Sequence, residues 1–522
     1  MTARKMPVGI QTFEDIRTED YVYVDKTAFI YRLAKEGRPY FLGRPRRFGK
    51  SLLLSTLKAY FQGKKELFDR LAIAELEKDW IEYPVFHIDL NVIKYGGMEE
   101  LQAGLDDNLR YLEETWGKDP AEKFSSSRFK GLIRRAYEKT GKKVVVLVDE
   151  YDRPLVQALG NEPLLDTFRN ELKAFYGILK TADPYLRFVL LTGVTKFSKV
   201  SVFSDLNHLR DISRDEAYSG ICGISETELI ADFDIELNAL AEKNKMTYQD
   251  AVAEMRKRFN GYHFCEDGPG MYNPFSVLST FASNHFRYYW FQTGTPTFLI
   301  KLLKDADFDV LTFNEGITID SRSIDDYRAG NSDPTPLLYQ SGYLTIKDYN
   351  RDFDAYILGF PNEEVEYGFL EALLPIYSPK IVDSQGFFVG KFIMDLRAGA
   401  VDAFMTRLRA LFADMPYELN DKTERHYQAL FYLIFRLFGQ YAKAELQSVK
   451  GRADAVVTTK DTVYVFEFKL SGNGTVEDAL KQIDRQGYLI PYAAAGKKLV
   501  KVGVEFDPVE RTIGRWKSIT AE

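Results

Sequence analysis

Four short, uninterrupted apolar runs punctuate the first 215 residues: Pro39-Tyr40-Phe41-Leu42, Val85-Phe86-His87-Ile88-Asp89-Leu90, Val144-Val145-Val146-Leu147-Val148 and Leu186-Arg187-Phe188-Val189-Leu190-Leu191. Strands buried on both faces are continuously apolar rather than alternating, and amphipathic stretches between them supply the crossovers. The pattern predicts an α/β layer structure, a parallel sheet covered by helices. From Ser225 to about Lys304 the periodicity turns mainly helical, with turn clusters at Asn260-Gly261 and Tyr272-Asn273-Pro274-Phe275, as in a lid or connector. Between Asp305 and about Pro379 the signals are mixed, and the stretch from Tyr339 to Ile346 suggests a strand pair.

The last part is more regular. Two amphipathic helices are expected between Phe387 and Leu419, then a helix from Glu424 to about Phe438. Strands at Ala444 to Val449, Ala453 to Val457 and Thr462 to Lys469 precede a helix at Val476 to Tyr488 and a final strand at Leu499 to Glu505. The order is αβββαβ. The expected division is residues 1–224, 225–304, 305–386 and 387–522, with the core of the last part at 420–508. No internal repeat or low-complexity tract interrupts it.

At 522 residues, with 45% hydrophobic and 28% charged residues, the chain is globular and too long for a single core. It lacks the apolar segment of a signal peptide and any run long enough to span a membrane, so a cytoplasmic location without membrane contact is expected. Two cysteines, Cys222 and Cys265, and five histidines without paired spacing argue against a disulfide framework and a zinc site. A net charge of −7 argues against non-specific coating of nucleic acid, though not against a local basic groove. The 38 Phe and 32 Tyr fit packing better than base stacking.

Gly43-Arg44-Pro45-Arg46-Arg47-Phe48-Gly49-Lys50-Ser51 follows the first apolar run. A strand, a glycine-bearing turn and Gly-Lys-Ser opening a helix form an anion site from backbone N–H groups and the helix N-terminus. Gly43 and Gly49 shape the loop, Lys50 would contact the β and γ phosphates of ATP, and Ser51 would hold Mg²⁺. The usual G-x-x-x-x-G-K-[ST] spacing puts its first glycine at position 44, where this chain has Arg44. That departure implies a loop one residue longer or a weaker nucleotide pocket. Arg46 and Arg47 add charge beside the phosphates or are solvated loop charges. Downstream, Asp149 ends the third apolar run and would hold the Mg²⁺ water, while Glu150 would activate the attacking water. Thr195, after the fourth run, would sense the γ-phosphate or belong to an ordinary turn.

Near the other end, Gly451-Arg452-Ala453-Asp454 opens one apolar strand and Val465-Phe466-Glu467-Phe468-Lys469 closes the next. Alternate strand residues share a face, so Asp454, Glu467 and Lys469 fall on one edge of a small sheet. Two carboxylates suit Mg²⁺, and a nearby ammonium group can hold and polarise an attacking water. This is the chemistry of a metal-dependent phosphodiesterase.

Tyr23-Val24-Asp25-Lys26-Thr27, the loop from Arg44 to Ser51, Asp149-Glu150-Tyr151-Asp152 and Leu191-Thr192-Gly193-Val194-Thr195 resemble the AAA-ATPase-like family of bacterial proteins over nearly the whole chain. Members commonly end in a PD-(D/E)xK nuclease-like domain, and the Arg-Pro-Arg-Arg-Phe-Gly-Lys loop is itself family-like. The resemblance implies a P-loop NTPase sheet joined to a restriction-endonuclease-like domain, with Asp454, Glu467 and Lys469 as catalytic residues. It also implies Glu424 as a further metal ligand or a solvated helix residue, and Gln482 and Tyr488 near the phosphate backbone. The expected activity is an ATPase controlling a Mg²⁺-dependent nuclease on DNA or RNA, with a homo-oligomer left open. The alternatives are a nucleotide-gated signalling or nucleic-acid-binding module without cleavage, and a scaffold of inactive folds.

Overall fold

The computed structural model describes residues 4–521 except 38, 92, 197–208, 292–296, 307, 326–332, 378–387, 414–423, 440–442, 447–453, 508 and 511. Two compact units make up the chain: Met1–Ala306 with Gly316–Glu366, and Asp307–Glu315 with Tyr367–Glu522.

In the first unit the four apolar runs become β1 (Pro39–Gly43), β2 (Val85–Asp89), β3 (Val144–Asp149) and β4 (Leu186–Gly193), joined by a short β5 (Arg210–Asp211). The strand order is β2-β3-β4-β1-β5, and every pairing is parallel. Helices such as Lys50–Phe61 and Glu162–Thr181 supply the crossovers that parallel pairing requires. β3 is buried along its whole length, with Val144 to Val148 fully shielded, as its unbroken apolar composition demands. β5 carries two polar residues at the sheet edge and leaves no hydrophobic signal to read.

The segment after residue 224 is helical as expected, with helices Glu226–Asp232, Asp234–Lys243, Tyr248–Phe259 and Pro274–Ser283 beside a two-stranded ribbon of β6 (Ile224–Ser225) and β7 (Met271–Tyr272). Leu229, Phe233, Leu237, Leu240, Met255 and Phe259 form its core. Ser225 caps the first of these helices in reciprocal exchange with Glu228. The strand pair suggested over Tyr339 to Ile346 is not formed. Pro336 opens a helix, Thr335–Gln340, and Gly342 turns the chain with φ +87 into a strand that starts only at Thr345. The antiparallel sheet here has the order β8-β10-β9, from β8 (Ile317–Asp320), β9 (Thr345–Asn350) and β10 (Ala355–Gly359).

In the second unit, helices Phe388–Arg397, Val401–Ala413 and Glu424–Phe438 precede β11 (Lys443–Leu446), β12 (Ala455–Thr458), β13 (Thr462–Leu470), helix Val476–Arg485, β14 (Lys498–Asp507) and β15 (Thr512–Thr520). The sheet order is β11-β12-β13-β14-β15, antiparallel except between β13 and β14. That single parallel pair is what the intervening helix makes possible. β15 extends the expected αβββαβ order by a strand whose residues are mostly exposed, so its sequence shows no apolar face. The Val476–Arg485 helix ends three residues before the expected Tyr488, with Gly487 at φ +64 just beyond it.

Candidate functional site

Gly43 closes β1, and the loop then runs to Gly49, whose φ of +92 places it as the left-handed cap of the Lys50–Phe61 helix. Arg44 turns away from the loop mouth. It is 1% exposed, donates to the carbonyls of Gly43 (2.9 Å), Ser213 (2.7 Å) and Tyr218 (3.1 Å), and lies 4.0 Å from the Phe264 ring centroid. Burial lowers its pKa from the ordinary guanidinium value. Arg44 is therefore an internal strut that ties the loop to Ser213 and Tyr218.

Arg46 is half-buried against Trp290 and Tyr343, and Arg47 is exposed. Arg46 stacks against Trp290, 6.0 Å from the ring centroid, and its carbonyl accepts from Trp290 Nε1 at 3.0 Å. Arg47 is exposed, adopts φ +65 and lies 5.0 Å from the Phe275 ring centroid. Lys50 curls back, donating to the carbonyls of Arg44 (3.0 Å) and Pro45 (3.2 Å), with Glu150 Oε1 3.4 Å away. Ser51 sits half-buried in the first turn of the helix.

The third strand brings its acids to the same place. Asp149 is buried and accepts from Thr192 Oγ1 at 2.8 Å, while Glu150 holds φ +51, unusual for a residue with a side chain. Such backbone strain concentrates at functional sites. Asp152 was singled out only as part of a motif, yet it organises the end of β4. Fully buried, it accepts from the N–H groups of Val194 (3.1 Å) and Thr195 (2.6 Å) and from Thr195 Oγ1 (2.6 Å). Burial and the neighbouring Glu150 push its pKa up to about 6, against the Thr195 bonds. The hydroxyl of Thr195 is thus spent on Asp152, and it is Thr192 that touches Asp149. The signal for Asp152 was its position as the fourth residue of Asp149-Glu150-Tyr151-Asp152. Gly193 is required beside it, since a Cβ there would stand 2.5 Å from Asp152 Oδ1 and 2.7 Å from the Tyr151 ring.

In the second unit, the antiparallel register pairs Ala455 with Phe466, so Asp454 and Glu467 lie one step further along facing strands. Asp454 Oδ2 accepts from the Phe468 N–H at 2.7 Å. Glu467 is 2% exposed, and its Oε1 accepts from Lys469 Nζ at 3.0 Å. Lys469 also donates to Gln482 Oε1 at 2.7 Å, and Gln482 Nε2 lies 3.5 Å from the Tyr488 hydroxyl. The helix that carries Gln482 packs so closely on β14 that a Cβ at Gly503 would stand 2.6 Å from the Val476 carbonyl. Burial raises both acids above the usual carboxylate range, and for Glu467 the nearby Asp454 adds to the rise.

Glu467 Oε2 is buried and has no hydrogen-bond partner. A buried carboxylate oxygen without a donor is costly unless a cation or ordered water meets it, so the donor set of Asp454 and Glu467 fits a hard divalent ion. Among the described residues no cluster of three or more His, Cys, Asp or Glu forms. The expected third acid, Glu424, is the first residue of its helix, but its side chain lies outside the described residues, as do Gly451, Arg452 and Ala453. No described helix is long and apolar enough to cross a membrane.

A family model for predicted AAA-ATPases matches residues 7–203, and one for the PD-(D/E)XK nuclease superfamily matches residues 422–516. A protein of Azotobacter chroococcum mcd 1 named "Uncharacterized protein in vnfD 5'region" is 36% identical over 522 residues, which covers 98% of this chain and 98% of its own.

Proposed function

Because the chain belongs to the predicted AAA-ATPase family and carries a C-terminal PD-(D/E)XK nuclease superfamily domain, we propose that it binds and hydrolyses ATP and thereby controls a Mg²⁺-dependent nuclease acting on DNA or RNA. In the first unit, Lys50 would exchange the Arg44 and Pro45 carbonyls and Glu150 for the β and γ phosphates, which are better partners for its charge. Gly43, Gly49 and the start of the Lys50–Phe61 helix would cradle the phosphates, with Arg46 and Arg47 adding positive charge nearby. Ser51 and Asp149 would hold the Mg²⁺ that accompanies ATP. Glu150, released from Lys50, would orient and deprotonate the attacking water. Thr195 and Asp152 would keep the adjoining turn in place rather than read the γ-phosphate.

In the second unit, Asp454 and Glu467 would hold Mg²⁺, with Glu424 as a further ligand. When bound, the ion supplies charge stabilisation at the scissile phosphate and lowers the pKa of a coordinated water. Lys469 Nζ, held between Glu467 and Gln482, would donate to the developing oxyanion or orient the water. The observation that carries this reading is the partnerless, buried Oε2 of Glu467 beside Asp454 and Lys469.

The test is a cleavage assay on single- and double-stranded DNA and on RNA, with Mg²⁺, with and without ATP, for wild type, Lys50→Ala and Asp454→Ala. Asp454→Ala is expected to lose on the order of 100-fold or more in cleavage, and Lys50→Ala to lose the response to ATP. Cleavage indifferent to Asp454→Ala would overturn the nuclease role. Tight ATP binding without phosphate release or cleavage would favour a nucleotide-gated binding module instead.

A further inference from the structure

The three carbonyls that Arg44 bonds to satisfy hydrogen atoms, but carbonyl dipoles do not cancel a full buried charge. The residue lines a cavity of about 40 Å³ together with Gly43 and Ser213, two of its carbonyl partners, and Phe264, whose ring lies 4.0 Å from its guanidinium. On the same measure a single water needs about 10–15 Å³. Gly49, Lys50 and Ser51 take no part in the lining, so the cavity is distinct from the proposed phosphate site.

Charge along its wall is unbalanced. Lys196 is paired with Asp211 at 2.5 Å, and Arg214 with Asp325 at 2.7 Å. Asp211 also accepts from the Ser213 N–H at 2.9 Å, and His263 spends its Nδ1 on the Gly268 carbonyl at 3.1 Å. Among the described residues Arg44 has no carboxylate within ion-pair distance, and its buried Nε has no hydrogen-bond partner. Tyr339 and Ser213 add hydroxyl groups to the lining. Burial pushes the Tyr339 phenol up, so it is a donor at neutral pH.

We infer that this cavity binds one small monovalent anion of about the size of chloride, held chiefly by Arg44. A water would satisfy the Nε–H and leave the charge uncompensated, while a divalent oxyanion would overshoot a surplus of one. Such a site does not depend on nucleotide binding. It bears on the loop all the same, because Lys50 donates to the Arg44 carbonyl at 3.0 Å, and an ion that steadies Arg44 steadies that bond.

The experiment combines chloride NMR line broadening with thermal unfolding of the full chain in sodium chloride and, at equal ionic strength, in sodium gluconate, whose anion is too large for the cavity. Wild type is expected to broaden the chloride line, to lose that broadening as bromide competes, and to melt a few degrees higher in chloride than in gluconate. Tyr339→Phe, which removes one hydroxyl, should weaken chloride about tenfold, and Arg44→Met should abolish the bromide-sensitive broadening. Absence of that broadening or of the midpoint difference in wild type overturns the site, and so does broadening that Tyr339→Phe leaves unchanged, since chloride would then be held elsewhere. Should Arg44→Met not fold, wild type and Tyr339→Phe decide alone.

Discussion

Glu467 joins three conflicting demands in one side chain: burial, a neighbouring acid and a lysine partner. Burial and Asp454 lift its carboxyl above the ordinary glutamate range, so the folded chain holds that proton more tightly than the unfolded one. The resulting stabilisation is complete below the ordinary range and is lost as pH rises through the folded value. Glu467→Gln removes the loss. In metal-free protein above neutral pH, the variant is expected to melt higher than wild type by a few degrees, corresponding to about 1 kcal/mol, while cleavage falls on the order of 100-fold or more. Melting curves at pH 5 and pH 8 check the sign, since the gain should shrink at the lower pH. An unchanged or lower midpoint at pH 8 would mean that the bond to Lys469 outweighs burial. Arg44 shows the reverse case. Its charge is buried, yet it is spent on three carbonyls, so the residue in the expected glycine position supports the loop without entering it.

Among the elements, the Val476–Arg485 helix has the most to do. It bridges the parallel pair β13–β14, buries Val476, Ala479, Leu480 and Ile483, and presents Gln482 to Lys469. Its start is fixed by a capping box in which Thr475 and Asp478 exchange bonds. Thr475→Ala is expected to cost about 1 kcal/mol in urea unfolding and to reduce cleavage through Lys469; full cleavage in a variant destabilised to that extent would separate the helix from the chemistry. The strands and helices with an apolar period were readable from sequence to within a few residues, because burial imposes the period. β5 and β15 were not, because edge strands with polar faces satisfy the sheet through backbone bonds alone. Tyr339 to Ile346 misled for another reason: its aromatic and β-branched composition suits a strand, while Pro336 and Gly342 impose a helix start and a left-handed turn.

Over the whole molecule, the residues proposed for ATP and those proposed for nuclease chemistry belong to different compact units. A ligand that binds one native unit raises that unit's unfolding free energy by about 2.7 kcal/mol at a hundredfold excess over Kd. Scanning calorimetry is therefore expected to resolve two transitions, with MgATP raising one and leaving the other in place, and with Lys50→Ala abolishing the rise. A single transition that moves as a whole would mean that the units unfold together.

Composition and periodicity sufficed for the parallel sheet, the helical segment after residue 224 and the αβββαβ core, because each is a local consequence of which residues leave water. The motifs offered Lys50, Asp149, Glu150, Asp454, Glu467 and Lys469 as candidates from equally local signals, a glycine turn at a helix start, a strand end and alternation along a strand. What no local pattern could decide was where side chains find partners far along the chain. Arg44 folding onto Ser213 and Tyr218, Asp152 clamping Val194 and Thr195, and Gln482 holding Lys469 all depend on distances that exist only once the sheets and helices are packed.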